Sequence, residues 1–204
     1  MDVALPPFLA PSPVIDFTNP IVATKACELC GDLTDPTAMA EACFLFVRDT
    51  IRHSADFQCN PVTCAASDVL RHGTGYCYAK AHLLVALLRA CGLPAGLCYQ
   101  RLLLDPEADQ HRFCLHGLAA VLLPQGGWYR IDPRGNKPGV EAQFDPPHER
   151  LAFSIRYPGE ADLPGIHPEP FPEVVAALRR YATWDGLLAH LPDVALAARP
   201  TLSR

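Results

Sequence analysis

The sequence predicts an α+β fold in which one strongly apolar helix packs against an antiparallel sheet. Three observations lead to this prediction. Capped helical patterns occupy the first half of the chain, and three apolar, strand-like runs with short connections follow them. The 204 residues, half of them hydrophobic, are enough for one well-buried core but not for two. We therefore expect a single domain over residues 1–204.

The N-terminal part, residues 1–64, is predicted to be an arm followed by two helices and a loop. Prolines among apolar residues make 1–18 an extended arm. Asn19 and Asp35 each stand directly before a proline, and this pairing of residue types caps and opens a helix. The predicted segments are helices near 20–30 and 36–51 and a loop over 52–64.

A glycine-rich turn introduces the central helix. Ser67 caps a short preceding helix through Leu70, and the turn Gly73-Thr74-Gly75-Tyr76-Cys77 then starts the main one. Apolar residues recur along it at three- and four-residue steps until Gly92, which provides a left-handed stop. We expect this helix to be the central element of the core.

Three strands are predicted after the central helix. Short connections between them favour an antiparallel meander. The three runs are 97–104, 113–123 and 128–132. Beyond them, the pattern predicts a loop, a further strand over 151–155, a proline-punctuated connection over 157–172 and a helix near 172–181.

Cys77, His116 and Asp132 carry the side chains that thiol enzymes use. Cys77 lies in the first turn of the central helix, where the partial positive charge of free N–H groups stabilises a thiolate. His116 falls within an apolar strand, and Asp132 ends another. A nucleophile, a base and a group that orients the base are therefore all available. Taken singly, each also has a structural interpretation, as a core cysteine, a buried histidine and a turn-capping aspartate.

The same region resembles the core of the transglutaminase-like superfamily. The similar motifs, in the family's order and spacing, are Gly75-x-Cys77-x-x-x-Ala81, Arg89-x-x-Gly92-Leu93-Pro94-Ala95, His116, and Gly127-Trp128-Tyr129-Arg130-Ile131-Asp132-Pro133. The resemblance covers about residues 65–135. It implies a papain-like core in which the cysteine helix packs on an antiparallel sheet that carries the histidine and the aspartate. Residues 1–64 and 136–204 would then add N- and C-terminal helices to this core.

The resemblance also implies an activity. A Cys77 thiolate would attack the carbonyl carbon of an amide in a peptide, a protein or a small molecule, with His116 as acid and base and Asp132 as its orienting partner. A thioester would form, and the sequence leaves open whether water or an amine resolves it. The backbone N–H of Cys77 is the first candidate donor to the oxyanion, and Gln100 is a candidate for the second. The alternative is a non-catalytic binding module that has kept the fold.

Composition and charge argue against several partners. A net charge of -5 and the lack of a basic cluster argue against nucleic acid. No apolar run approaches the length of a membrane span, and the proline-rich start lacks the pattern of a secretory signal, so we expect a cytoplasmic protein without membrane contact. The acidic loop over 105–109 and the connection over 157–172 are candidates for the borders of a substrate groove. The oligomeric state is open at this point.

The nine cysteines are predicted to be mostly reduced core residues, and neither a metal nor a cofactor is expected. The main rival signal is Cys27-x-x-Cys30, which matches a redox pair or, with Cys59 and Cys64, a zinc site. The spacing of the second pair is loose for zinc, and no β-α-β pattern surrounds the first. The chain also lacks the acidic cluster of the calcium-dependent members of the family that it resembles, so calcium independence is expected.

Overall fold

The computed structural model describes residues 5–105, 107–108 and 111–196. Its helices are α1 (Pro20–Cys30), α2 (Pro36–Thr50), α3 (Ser54–Phe57), α4 (Ala66–His72), α5 (Cys77–Ala90), α6 (Pro172–Arg180) and α7 (Trp184–Leu188), with a 3-10 turn at Pro6–Leu9. Its strands are β1 (Arg52–His53), β2 (Thr74–Gly75), β3 (Ala95–Leu103), β4 (Phe113–Leu123), β5 (Gly127–Ile131) and β6 (Ala161–Asp162). Pro106 and Asp109 of the predicted acidic loop, and the ends of the predicted arm and C-terminal extension (1–4 and 197–204), lie outside the described residues.

The main sheet has the strand order β5-β4-β3-β6, and every pairing in it is antiparallel. The predicted meander of three strands is confirmed. In the register of β3 and β4, Gln100 lies opposite His116. The fourth strand, β6, pairs with the edge of β3 that β4 leaves free. It lies within the segment 157–172, for which the sequence predicted only a connection.

The predicted strand over 151–155 is wrong, because side chains rather than a neighbouring strand bind its backbone. The N–H of Ala152 donates to Asp132 Oδ2 at 3.1 Å. The carbonyl of Phe153 accepts from the Gln100 side chain at 3.3 Å. These bonds hold the segment against the sheet without extending it.

Helix α5 is the centre of the core, as the sequence predicted. Almost all of its side chains are buried, because α1, α2 and α4 cover one side of it and strands β3 and β4 the other. Gly117 of β4 makes the close approach possible, since a Cβ there would lie 2.9 Å from Tyr78 Cδ1 and 3.0 Å from Tyr78 Cα. The helix stops before Gly92, whose φ of 77° is left-handed.

The two N-terminal helices are confirmed, and their caps are those expected. The Asn19 side chain accepts from the N–H of Ile21, and the Asp35 side chain accepts from the N–H of Ala38. Helix α4 differs from the prediction because Ala65 takes the cap position and Ser67 lies inside the helix. The missing side-chain cap comes from the N-terminal arm, where Asp16 accepts from the Ser67 N–H at 3.0 Å.

The region predicted to be a loop over 52–64 contains structure that matters for the site. Strand β1 pairs in parallel with β2, so that His53 lies opposite Gly75. Helix α3 follows directly. This non-local pairing brings the 53–56 segment beside the turn that precedes Cys77.

Candidate active site

Cys77 is the first residue of α5, and its position follows from the turn before it. Tyr76 takes the cap position in an extended conformation, with φ −65° and ψ 165°. The first residues of a helix have no carbonyl partner within the helix for their N–H groups. The Cys77 backbone N–H is therefore free to donate beside its own thiol, and the residue as a whole is 7% exposed.

His116 and Asp132 form a buried pair. His116 Nε2 lies 2.7 Å from Asp132 Oδ2. Asp132 has no exposed surface and also accepts from the backbone N–H of Arg134 and of Ala152, each at 3.1 Å. The Phe153 ring meets the His116 ring edge to face, with centroids 5.0 Å apart and planes at 87°. Both position and orientation of the imidazole are thus fixed.

The electrostatics of the pair favour an imidazolium. Burial lowers the pKa of His116, but the Asp132 carboxylate and the Cys77 side chain each raise it, through charge and a hydrogen bond. Their combined effect is larger than that of burial, and the pKa is about 10. Burial raises the pKa of Asp132, while the charge and hydrogen bond of His116 and the two backbone N–H groups lower it below its usual value. Since Nε2 is bound to Asp132, Nδ1 is the nitrogen left for Cys77. The arrangement can hold a thiolate and an imidazolium side by side.

A cavity of about 620 Å³ lies in front of Cys77 and His116. Its lining combines apolar and charged side chains. The apolar ones include Leu102, Leu103, Leu188 and Leu191, and the charged ones are Asp56, Arg134, Lys137, Arg156 and Glu160. This volume is typical of a site for a small molecule or a few residues of a peptide.

The sequence model of the transglutaminase-like superfamily matches residues 24–133, which is more than half of the chain and includes Cys77, His116 and Asp132. The chain belongs to this superfamily. The resemblance that the motifs indicated is therefore confirmed, and so is the α+β, papain-like fold that it implied. The matched span begins within α1, earlier than the core of about 65–135 that the motifs delimited.

Two solved structures are similar to this transglutaminase-like protein at low sequence identity. A candidate cysteine protease from Cytophaga hutchinsonii superimposes with a TM-score of 0.52 and 19% identity, over 66% of this chain and 43% of that one. The periplasmic domain of TgpA from Pseudomonas aeruginosa gives a TM-score of 0.48 and 23% identity, over 62% of this chain and 45% of that one. The chain thus spans less than half the length of either. No curated protein matches the sequence at a significant level.

Gln100, the candidate second donor to the oxyanion, is engaged elsewhere in this transglutaminase-like fold. Its Nε2 donates to Asp162 Oδ1 at 3.0 Å and to the Phe153 carbonyl at 3.3 Å. Both amide hydrogens are used in these bonds, and Gln100 lies outside the lining of the Cys77 cavity. The structure therefore does not bring Gln100 to the oxyanion position. Its bond to the Phe153 carbonyl connects Gln100 to the residue whose ring packs on His116.

Sequence reasoning missed a second charged group in the cavity, built on His53 and Asp56. His53 Nδ1 is 3.6 Å from Asp56 Oδ2. Arg134 binds Asp56 with both guanidinium nitrogens, at 2.6 and 3.1 Å, and Lys137 binds it at 2.6 Å. Arg134 also donates its backbone N–H to Asp132, so it joins this group to the His116 pair. No local sequence pattern indicates this group, because His53 reaches the site through the β1–β2 pairing.

The electrostatics of this second group keep His53 neutral. Burial, followed by the charge of Arg134, lowers the pKa of His53 well below its usual value, against the opposing charge of Asp56. Burial opposes the ionisation of Asp56, but hydrogen bonds from Arg134 and Lys137 lower its pKa to about 2. Among the described residues, His53 Nδ1 has no hydrogen-bond partner, since Asp56 Oδ2 lies 3.6 Å away.

Lys80 is a further residue near Cys77 that the sequence did not single out. It lies one turn after Cys77, is fully buried, and donates from Nζ to the carbonyls of Ile51 and of Arg48. Burial and the charge of Arg134 lower the pKa of Lys80 to about 7. These bonds tie the first turn of α5 to the end of α2, and so help to hold Cys77 in place.

Among the described residues, the four cysteines of the alternative zinc site, Cys27, Cys30, Cys59 and Cys64, do not converge. Cys27 is exposed, and Cys30 is buried next to Cys43, with the two sulfur atoms 3.6 Å apart. Within residues 5–105, 107–108 and 111–196, the group of possible metal ligands with converging donor atoms is Cys30, Cys43 and Cys91, without Cys59 or Cys64. Over the same residues, no helix is long and apolar enough to span a bilayer.

Proposed function

We propose that this protein is a cysteine enzyme that cleaves or transfers an amide acyl group through a thioester on Cys77. One observation carries the proposal: the buried His116–Asp132 pair, at 2.7 Å, leaves the second imidazole nitrogen for a thiol at the start of a helix. A non-catalytic module has no structural need for an imidazolium beside a thiol. Membership of the superfamily supports the same conclusion.

In the first half of the reaction, the Cys77 thiolate attacks the carbonyl carbon of the amide. The new C–S bond forms as the carbonyl electron pair moves to oxygen, and the free N–H of Cys77 is available to donate to that oxyanion. The imidazolium of His116 then gives its Nδ1 proton to the departing amine as the C–N bond breaks. The products are a thioester, a free amine and a neutral imidazole.

In the second half, the neutral His116 acts as a base. It takes a proton from water or from an acceptor amine, which attacks the thioester carbon, and the C–S bond breaks to restore the thiolate and the imidazolium. Asp132 keeps the same ring nitrogen towards Cys77 throughout. Water as the acceptor makes the protein a hydrolase, and an amine makes it a transferase.

The substrate we propose is a peptide, a protein segment or a small amide. The cavity, at about 620 Å³, accommodates an amide and the side chain that bears it. Its leucines provide apolar contact, while Arg134 and Lys137 are already paired with Asp56. Recognition of the substrate would therefore combine apolar contact with the leucines and charge contact with Arg156, a lining cation outside the Asp56 group.

Intact-mass spectrometry of the acylated enzyme tests the proposal. The protein is incubated with a panel of peptide amides, protein glutamines, small amides and activated esters, and then with water or with a primary amine. We expect an acyl adduct on Cys77 that either acceptor removes, its loss in Cys77→Ala, and its retention in the control Cys59→Ala. If no donor in the panel acylates Cys77, and a tight ligand is found instead, the binding-module alternative is correct.

A further inference from the structure

Three cysteines that the proposed reaction does not use converge in the helical half of the core. Cys30 is the last residue of α1, Cys43 lies within α2, and Cys91 follows the last turn of α5. Their sulfur atoms all lie within 4.8 Å of one another, and those of Cys30 and Cys43 are 3.6 Å apart. Cys91 stands at the opposite end of α5 from Cys77, about 20 Å away at 1.5 Å per residue. The cluster is therefore separate from the active site.

The spacing of the three sulfur atoms matches trigonal coordination. With metal–sulfur bonds of about 2.3 Å, three sulfurs around one ion lie about 4.0 Å apart. The observed separations, from 3.6 Å up to the limit of 4.8 Å, bracket this value. Changes of less than 1 Å in the separations of the sulfur atoms would close the triangle.

The number and type of the ligands select the class of ion. Structural zinc takes four ligands, whereas the cluster offers three among the described histidine, cysteine and acidic side chains. Thiolates are soft ligands and favour soft ions such as monovalent copper. A three-sulfur set therefore suits a soft ion that accepts three-coordination better than it suits zinc.

The cluster is bordered by backbone carbonyl groups and is open to solvent on one side. Cys30 Sγ donates to the Met39 carbonyl at 3.7 Å, and Cys91 Sγ lies 4.0 Å from the Ala26 carbonyl. Cys91 is partly exposed and offers an entry path for an ion.

We propose that Cys30, Cys43 and Cys91 form a binding site for one soft, thiophilic ion in three-coordinate geometry, of the class of monovalent copper. Each thiol that coordinates releases its proton to water, and no oxidation or reduction is involved. Bound there, the ion would cross-link α1, α2 and the end of α5. Binding would stabilise the folded protein in proportion to the logarithm of the free ion concentration.

Titration with monovalent copper tests this site. The full chain, with Cys77 first blocked by iodoacetamide, is titrated without oxygen against a chromophoric copper chelator, and the bound ion is examined by X-ray absorption. We expect one equivalent per chain, three sulfur neighbours at about 2.3 Å, and a raised unfolding temperature. In Cys43→Ala the affinity should fall by more than the roughly 10–100-fold that loss of an outer-sphere partner costs.

Two further variants keep the test decisive. Cys98→Ala is the matched control, because Cys98 is also buried but lies in a separate cluster with Leu118, and it should bind as the wild type does. Cys91→Ser replaces a partly exposed ligand, and it should lose the same equivalent if Cys43→Ala fails to fold. Arsenite provides a second probe, since As(OH)3 and three thiols give As(SR)3 and three waters, seen as one arsenic added per chain. Copper binding that survives the removal of Cys43 or Cys91, or that Cys27→Ala removes, would overturn the proposal.

Discussion

Replacing Asp132 by asparagine tests how the buried pair works. Asp132 accepts from three donors: Arg134 N on Oδ1, and Ala152 N and His116 Nε2 on Oδ2. Asparagine has only one acceptor oxygen. Placed at the Oδ2 position, that oxygen keeps two of the three bonds and leaves the Arg134 N–H facing an NH2 group. We therefore expect His116 to keep its tautomer but to lose the charge of its partner.

The magnitudes follow from these contacts. One unsatisfied buried N–H costs about 1–3 kcal/mol of stability, or about 2–12 °C in unfolding temperature for a domain of this size. Without the carboxylate, the largest contribution that raises the pKa of His116 is lost, and the pKa falls from its raised value. The imidazolium is then less populated at neutral pH, and turnover should fall by about 10²–10⁴-fold, equivalent to about 3–5 kcal/mol.

The assay does not depend on knowing the substrate. The protonation of His116 is followed by NMR of nitrogen-labelled protein, and the rate of Cys77 alkylation by iodoacetamide at mildly acidic pH is measured in parallel. Asp68→Asn, at an exposed ion pair with Arg71, is the control and should change neither. The reasoning is refuted if Asp132→Asn folds, still titrates near the wild-type value and alkylates at the wild-type rate.

Three other predictions concern packing, charge and pH. Gly117→Ala should lower the free energy of unfolding by about 1–3 kcal/mol and remove most of the activity, because the new Cβ would lie 2.9 Å from Tyr78 and push Cys77 away from His116. The control Gly126→Ala, whose Cβ would have no atom within 4 Å, should change neither denaturant unfolding nor turnover. The pKa of Lys80 in the folded protein is about 7, below its usual value, so the unfolded chain binds more protons than the folded protein above that pH. The wild type should therefore gain stability relative to Lys80→Met as the pH rises from about 7 towards 10. A difference in unfolding free energy that stays constant over this range would contradict the prediction. Turnover should fall as the pH rises through about 10, where His116 loses its proton, and a profile that keeps rising there would exclude the imidazolium.

Local signals predicted most of the fold. The caps at Asn19 and Asp35, the glycine stop at Gly92 and the short connections between strands depend on neighbouring residues, so the corresponding helices and the meander are confirmed. The sequence also selected Cys77, His116 and Asp132, which the structure brings to one site.

The features that escaped prediction depend on contacts distant in sequence. His53 enters the cavity through a parallel pairing of two-residue strands, which leaves no periodic pattern. The 151–155 segment has strand-like residues, but Asp132 and Gln100 bind its backbone in place of a neighbouring strand. The cluster of Cys30, Cys43 and Cys91 likewise depends on how three helices pack. The spacing Cys27-x-x-Cys30 instead indicated Cys27, which is exposed.

The most direct test of the central claim is competitive alkylation of the nine cysteines. Native protein is treated with limiting iodoacetamide at mildly acidic pH, and the modified positions are identified by peptide mass spectrometry. A thiolate held beside an imidazolium predicts that Cys77, although only 7% exposed, reacts before the exposed Cys27 and the half-buried Cys59. If Cys27 or Cys59 reacts first, or all the cysteines react slowly and alike, Cys77 is not an activated nucleophile.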